Sequence, residues 1–526
     1  MTRLLTVFFL TLLGTTAALS QEKEFETAHE AVKNMAVGWN LGNTLDSNSG
    51  DTLNMWIEHW TSRTPADYEK AWGQPVTKAS LMKMFKEAGF NAIRVPVTWY
   101  PHMEAKFQFP SNDNSHWYPS KDDLGTKVNA AWMRRVKQVV DYVIDAGMYC
   151  ILNVHHDTGA SNTAWLVASE ADYEKQRERY EALWKQIAEQ FRDYDEHLLF
   201  ESYNEMLDTE DSWCFASFGA TGNYNATIAR SAYNGINSYA QTFVNTVRAT
   251  GGNNAQRNLV VNTYGACCGE GNWSSHLQDP LKEMMLPDDE VLNHLIFEVH
   301  CYPDIKNLSS AKSTLNTTIN HLKNLLAKKG APVVFGEWGT STEHAYEQYR
   351  SNMLNFYRYF IEQTKKAGMG TFHWMGLSDG EHRSVPEFNQ QDLVDAIIKG
   401  YYGDDGYISG IENITPDTSP KEPTPDPSLK GREFIYDLSG RLIQSNKVTR
   451  SQSNEVTRYQ SNKVTRYQSN EVTRYQSNEV TRYQSNKVPR SQSNEVPRSQ
   501  SSNNSSVNSG LPKGIYIIDG RKVIIK

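Results

Sequence analysis

The chain has 526 residues, 39% of them hydrophobic and 22% charged, which is enough apolar material for a large core. A mean hydropathy of −0.62 indicates that part of the chain stays outside that core. Lys and Arg number 53 against 61 Asp and Glu, and the net charge of −8 excludes a general electrostatic nucleic-acid binder. Five cysteines are too few for a disulfide-dense miniprotein, and their odd number leaves one thiol over.

In chain order, residues 1–20 read as an export signal. Arg3 supplies the positive end, Leu4 to Leu13 a short apolar run, and Ala18-Leu19-Ser20 small residues at the −3 and −1 positions of a cut. The run is shorter than the roughly 20 residues of a membrane span, and no later stretch is long and apolar enough to make one. A secreted or surface-bound product is expected. Residues 21–412 then alternate short apolar runs with amphipathic stretches. The runs end at Val37–Leu41, Ala92–Val97, Cys150–His155, Leu198–Tyr203, Leu259–Thr263, Leu295–His300, Val333–Glu337 and Thr371–Trp374. Between them lie helical patterns such as Leu81–Ala88, Ala131–Ala146, Asp172–Phe191 and Tyr233–Thr250. Eight such runs predict an α/β fold, a (β/α)8 barrel. A doubly wound open sheet is the rival, lowered by the lack of a Gly-rich phosphate turn after the first strand.

Residues 413–430 hold five prolines among Thr, Ser, Asp and Lys, the composition of a stiff solvated linker. The segment 431–526 opens with a strand signal at Arg432–Leu438 and closes with a hairpin signal, Gly514–Ile518 and Lys522–Ile525 around Asp519-Gly520. Between them an eight-residue repeat of the type EVTRYQSN fills 447–502. One small apolar residue per unit cannot build a core, so the repeat reads as a disordered insert. Its three Lys and seven Arg against four Glu give +6, which leaves −8 − 6 = −14 for the rest. All 13 tryptophans precede the linker, so the large aromatic surface belongs to the first module.

A barrel gathers the C-terminal ends of its strands around one opening. The ends here carry Arg94, the run Asn153-Val154-His155-His156-Asp157, Asn204-Glu205, His300-Cys301-Tyr302, Glu337 and Trp374. Glu205 and Glu337 form a carboxyl pair of the kind glycoside cleavage requires, one group protonated and one ionised. Arg94 is the expected ion-pair partner of Glu337, and Tyr302 a further hydrogen-bond donor to it. Asn204 offers its amide to a sugar 2-hydroxyl. His155, His156 and Asp157 are plausible metal-ligand types, but neighbours on a strand face opposite ways and rarely share an ion. His155 and His300 are therefore read as hydrogen-bonding substrate or the acid, with His156 lining the cleft, and no metal or cofactor is invoked.

These motifs resemble glycoside hydrolase family 5, the cellulase-rich family of retaining barrels, from about Met35 to Gly403. The sequence runs GWNLGNTLD at Gly38–Asp46, then IRVPVTW, NVHHD, FESYNEM, HCYP and FGEWG, in the family's order and at family-like spacing. The resemblance implies Glu205 as acid/base and Glu337 as nucleophile. Arg94, Asn204, His300 and Tyr302 match its supporting positions. His155 and Trp374 match further active-site positions, with Trp374 as the floor under the scissile sugar. Met206 stands where many members have Pro, and Cys301 where an aromatic is frequent.

Asn40 follows the first strand and is expected to reach a sugar hydroxyl. Trp39, Trp99, Trp165, Trp213 and Trp273 are candidate sugar platforms, with core packing as the alternative for the first three. Cys150 reads as core, while Cys214 has Cys267 or Cys268 as possible disulfide partners. IYDLSGR at Ile435–Arg441 and the final LPKGIYIIDGRKVIIK resemble the sorting tail of type IX secretion, which would make the secretion machinery a partner. The expected activity is a retaining endo-β-1,4-glucanase acting on cellulose or mixed-linkage glucan. A xyloglucanase or β-mannanase of the same fold is the alternative, and a non-catalytic glycan-binding surface protein the distant one.

Overall fold

The computed structural model describes residues 24–49, 56–105, 124–159, 164–210, 212, 224–271 and 274–405, and four short strands between 432 and 525. In chain order the first ten strands are β1 (Gly38–Asn40), β2 (Ala92–Val95), β3 (Met103–Ala105), β4 (Leu124–Val128), β5 (Tyr149–Asn153), β6 (Leu198–Glu201), β7 (Leu259–Cys267), β8 (Leu295–Cys301), β9 (Val333–Trp338) and β10 (Gly370–His373). β3 and β4 pair as an antiparallel hairpin, for which the sequence reading has no counterpart. The other eight are parallel and close into a barrel, β1-β2-β5-β6-β7-β8-β9-β10 and back to β1. Each of the eight apolar runs is one of these strands.

The helices lie outside the barrel and start where a short polar side chain satisfies the first free backbone N–H groups. Asn129 caps Ala130–Asp145, Ser169 caps Glu170–Gln190, Asn225 caps Ala226–Ala249 and Asn307 caps Leu308–His321. Side chains alternate along each strand between this helical shell and the barrel interior. Outward residues such as Ile93, Val95, Phe200, Phe297 and Phe335 join the large core beneath the helices. Inward residues Ala92, Ile151, Leu199, Val260, Ile296, Val334 and Phe372 make a second, separate core with Ala28, Val32 and Met35 of the short helix Ala28–Asn34.

One pleat further along, the inward positions turn polar. Register sets Asn40 beside Arg94, Asn153 beside Glu201 and Asn262 beside Glu298, all fully buried. A greasy layer thus carries a charged one, and the charged layer forms the floor of the barrel mouth.

Past residue 405 the described residues are β11 (Arg432–Tyr436) paired antiparallel with β12 (Leu442–Lys447), and β13 (Gly514–Ile518) paired antiparallel with β14 (Arg521–Ile525). The predicted export signal, the Pro-rich linker and the repeat beyond Lys447 lie outside the described residues. No helix among the described residues is long and apolar enough to cross a membrane.

Candidate active site

Arg94 is the hub of the charged layer. Its Nε and Nη2 donate to Glu201 Oε2 and Oε1 at 2.6 and 2.7 Å, the bidentate geometry that suits a guanidinium. Nη1 donates to Asn40 Oδ1 at 3.0 Å and to Glu337 Oε1 at 3.1 Å, and Nη2 also donates to Asn204 Oδ1 at 2.9 Å. Glu298 Oε1 lies 3.3 Å from Nε. The expected Arg94–Glu337 pair is present, but the main partner is Glu201, which the sequence reading did not single out.

Three carboxyl groups around one guanidinium cannot all stay charged without water. Burial raises the pKa of Glu201, but the Arg94 charge and hydrogen bonds from Arg94 and Asn153 outweigh it and hold that pKa below the usual range. Glu298 goes the other way: burial first, then the negative Glu201, push it well above the usual range. Glu298 is thus the neutral member. The protein keeps room for it with Gly336, where an added Cβ would lie 1.5 Å from Glu298 Oε1. Alternation alone points to both residues, since Glu201 is two residues past Leu199 and Glu298 two past Ile296.

Glu205 and Glu337 face each other above this layer, both almost fully buried. A carboxylate oxygen of each and a ring nitrogen of His300 all lie within 4.8 Å of one another. His300 Nδ1 is 2.8 Å from Glu205 Oε1 and 3.4 Å from Glu337 Oε2, while its Nε2 is 3.3 Å from Glu298 Oε1. Tyr302 donates its hydroxyl to Glu337 Oε2 at 2.7 Å. Burial, then the charges of Glu337 and Glu205, keep that phenol protonated by raising its pKa far above 10. A register shift between Val299 and His300 brings Glu337 alongside His300.

His155 takes Asn153 Nδ2 at 3.0 Å on Nδ1, and since an amide NH2 only donates, the proton of His155 sits on Nε2. That nitrogen is 3.9 Å from Glu337 Oε1, so His155 attends Glu337 rather than the acid. Its ring stacks at 5.5 Å on Trp374, which is 7% exposed. His156 is partly exposed, lies 3.9 Å from Asp46 Oδ2, and meets the half-buried ring of Trp72 at 5.4 Å. Trp72 was not among the sequence candidates. Asp157 points elsewhere, accepting from Trp99 N and Trp165 Nε1, both at 2.7 Å. The three residues of the HHD run therefore do not converge, although Asp46, His155 and His156 do come within 4.8 Å.

Some expectations need correction. Asn40 does not reach into the opening: it is fully buried, with Oδ1 on Arg94 and Nδ2 on the carbonyls of Gly336 and Phe372 at 2.9 and 3.1 Å. It is a positioning group. Trp39, Trp99 and Trp165 are at most 1% exposed and belong to the core, so they cannot serve as sugar platforms. Trp213 and Trp273 lie outside the described residues. Cys267 is disulfide-bonded, and Cys150, Cys268 and Cys301 are free and buried. Cys214 lies outside the described residues.

Residues 55–378 match the family model described as cellulase (glycosyl hydrolase family 5). The chain belongs to glycosyl hydrolase family 5. Endoglucanase A of Clostridium longisporum is 30% identical over 405 residues, covering 72% of this chain and 67% of that protein. Endoglucanase B of Neocallimastix patriciarum is 31% identical over 394 residues, covering 71% of this chain and 72% of that one. Among solved structures, a GH5-4 broad specificity endoglucanase from an uncultured bacterium aligns at a TM-score of 0.65 with 50% identity, over 73% of this chain and 98% of that one. A family 5 enzyme from Prevotella bryantii, solved with a xyloglucan tetradecasaccharide, aligns at 0.60 with 37% identity, over 72% and 99%. The barrel is a glycoside hydrolase of the endoglucanase type, and the non-catalytic binding module is set aside.

Proposed function

We propose that Glu337 attacks the anomeric carbon of a β-1,4-linked glucan while Glu205 protonates the departing oxygen, and that Glu205 then activates water to release the sugar. The observation that carries this reading is the separation of the two carboxyl groups, with an oxygen of each within 4.8 Å. Retaining pairs sit about 5–5.5 Å apart, and inverting pairs need about 6.5–9.5 Å to admit a water. Glu337 is held by both oxygens, Oε1 by Arg94 Nη1 at 3.1 Å and Oε2 by Tyr302 at 2.7 Å, which fixes the orientation of the carboxylate. His300 at 2.8 Å orients Glu205. Arg94 occupies Asn204 Oδ1, so the amide end left to meet a sugar 2-hydroxyl is Nδ2. Trp374 offers a ring face to the C–H side of one sugar, and Trp72 with His156 continues the platform toward Asp46.

Cellulose or mixed-linkage glucan is the substrate favoured by the endoglucanase relatives. The test is hydrolysis of carboxymethyl cellulose, barley β-glucan, xyloglucan and mannan by the purified protein, reading reducing ends and product sizes. Release of short oligomers from the first two is expected. A preference for mannan would overturn the substrate and move the error into the loops after the strands.

Glu205→Ala separates the two roles. It should spare the first step on aryl glycosides with good leaving groups and stop it on polysaccharide; equal loss on both would contradict the acid assignment.

Export through the 1–20 segment, with the 431–526 tail engaging a secretion apparatus, belongs to the same proposal. It is supported by the two sequence patterns given above. Deleting residues 511–526 should trap the protein inside the cell envelope of its host, and unchanged release would contradict the tail's role.

A further inference from the structure

Among the described residues, a set of thiol and carboxyl side chains converges away from Glu205 and Glu337. Cys268, just past the end of β7, and Cys301, the last residue of β8, are free thiols that are 5% and 2% exposed. Cys301 Sγ lies 3.6 Å from Glu270 Oε2. One ligand atom from each of the three residues falls within 4.8 Å of the others. Glu270 is partly exposed and gives the group a face toward solvent. None of the three takes part in the chemistry proposed above.

The donor set has a definite preference. Two thiols and one carboxylate suit a borderline-soft ion, and exclude magnesium and calcium, which take oxygen ligands. Zinc binds thiolate at about 2.3 Å and carboxylate at about 2.0–2.2 Å, so tetrahedral geometry sets neighbouring ligand atoms about 3.5–3.8 Å apart. The Cys301–Glu270 separation already falls in that range. With three ligands from two segments, the fourth position is left to water.

We propose that Cys268, Cys301 and Glu270 form a binding site for a thiophilic divalent cation, zinc(II) being the representative, beside the catalytic centre and not part of it. Cys301 stands between His300 and Tyr302, the residues that hold Glu205 and Glu337, so an ion here is seated one residue from both.

The rival account is a buried thiol cluster with packing value alone, or a Cys268–Cys301 disulfide. The test loads the purified full chain with zinc sulfate, dialyses it against metal-free buffer and counts zinc, then repeats with cobalt(II) and records the spectrum. The wild type should retain one equivalent more than the Cys268→Ser/Cys301→Ser double variant. Cobalt should give a thiolate charge-transfer band that the double variant lacks. Glu270→Gln leaves both thiols and the fold in place, and should weaken zinc binding about tenfold or more. Equal zinc in wild type and double variant, no thiolate band, or a count of one thiol instead of three in the denatured protein would each overturn the site.

Discussion

Glu337→Ala is expected to lower turnover on β-glucan by on the order of 10⁴-fold or more, the scale on which a lost nucleophile costs other hydrolases. The glucosyl–enzyme bond can no longer form, while Glu205, His300 and Tyr302 keep their places. The cavity left at Cβ admits a small anion. Added azide should therefore restore cleavage of an aryl glycoside and yield the α-glycosyl azide, because the anion attacks the face that Glu337 attacked without a second displacement. Failure of azide to rescue any substrate would count against the nucleophile assignment. Tyr302→Phe gives a graded companion. It removes the 2.7 Å hydrogen bond to Glu337 without opening a cavity, so kcat should fall by far less than in Glu337→Ala.

The second large effect concerns stability. Glu201→Gln takes the charge from the main partner of a guanidinium that is fully buried. Breaking a buried pair from one side typically costs about 3–5 kcal/mol when the remaining charge is left uncompensated; Glu337 still faces Arg94 at 3.1 Å, so the loss here should fall at or below the lower end of that range. Glu298→Gln, two strands away in the same layer, should behave differently. Its pKa is pushed up by burial and by the negative Glu201, which favours the neutral acid, so an amide of the same shape should stay within about 1 kcal/mol of the wild type.

The pH dependence of the two variants separates them further. Glu201 has a lowered pKa in the folded state, so its stabilisation is present above the unfolded value and is lost as pH falls through the folded one. Glu298 has a raised pKa, so the folded chain keeps a proton that the unfolded chain has released. Stability contributed through that group falls as pH rises above about 4.3, the value of an unperturbed glutamate. Gln has no proton to lose. The melting temperature of Glu298→Gln relative to wild type should therefore climb as pH rises above the range of an ordinary glutamate. A flat difference would contradict the neutral assignment, and a stable Glu201→Gln would contradict the role of its charge.

Much of this architecture was legible because barrel strands announce themselves. Val333-Val334-Phe335 or Leu198-Leu199-Phe200 has no polar face, as a strand buried on both sides requires, and the functional groups follow directly at the C-terminal end. Glu205 and Glu337 were found that way. The pairing of Arg94 with Glu337, read from opposite charges at two strand ends, is present, but alternation within β6 also aims Glu201 into the barrel, and that larger partner needs the inward face to be followed down the strand. Asn40 follows the same rule. It lies on the inward side of β1, in register with Arg94, where its amide serves the protein and not a sugar.

The tryptophans show the limit of composition. Trp39 stacks on Phe85 at 4.1 Å, and across more than three hundred residues it donates its indole N–H to the carbonyls of Met375 and Gly376. Nothing local distinguishes such a ring from Trp72, which lies at the mouth beside His156. The β3–β4 hairpin was missed because its strands of three and five residues carry no sustained alternation.

The most direct test of the central claim is the configuration of the first product. Proton NMR should follow barley β-glucan from the moment the purified protein is added, before the freed sugar equilibrates between anomers. Two displacements at one carbon restore the starting configuration, so the β-anomer should appear first and the α-anomer only later, by mutarotation. Initial release of the α-anomer would mean a single displacement by water, and would contradict Glu337 as a nucleophile.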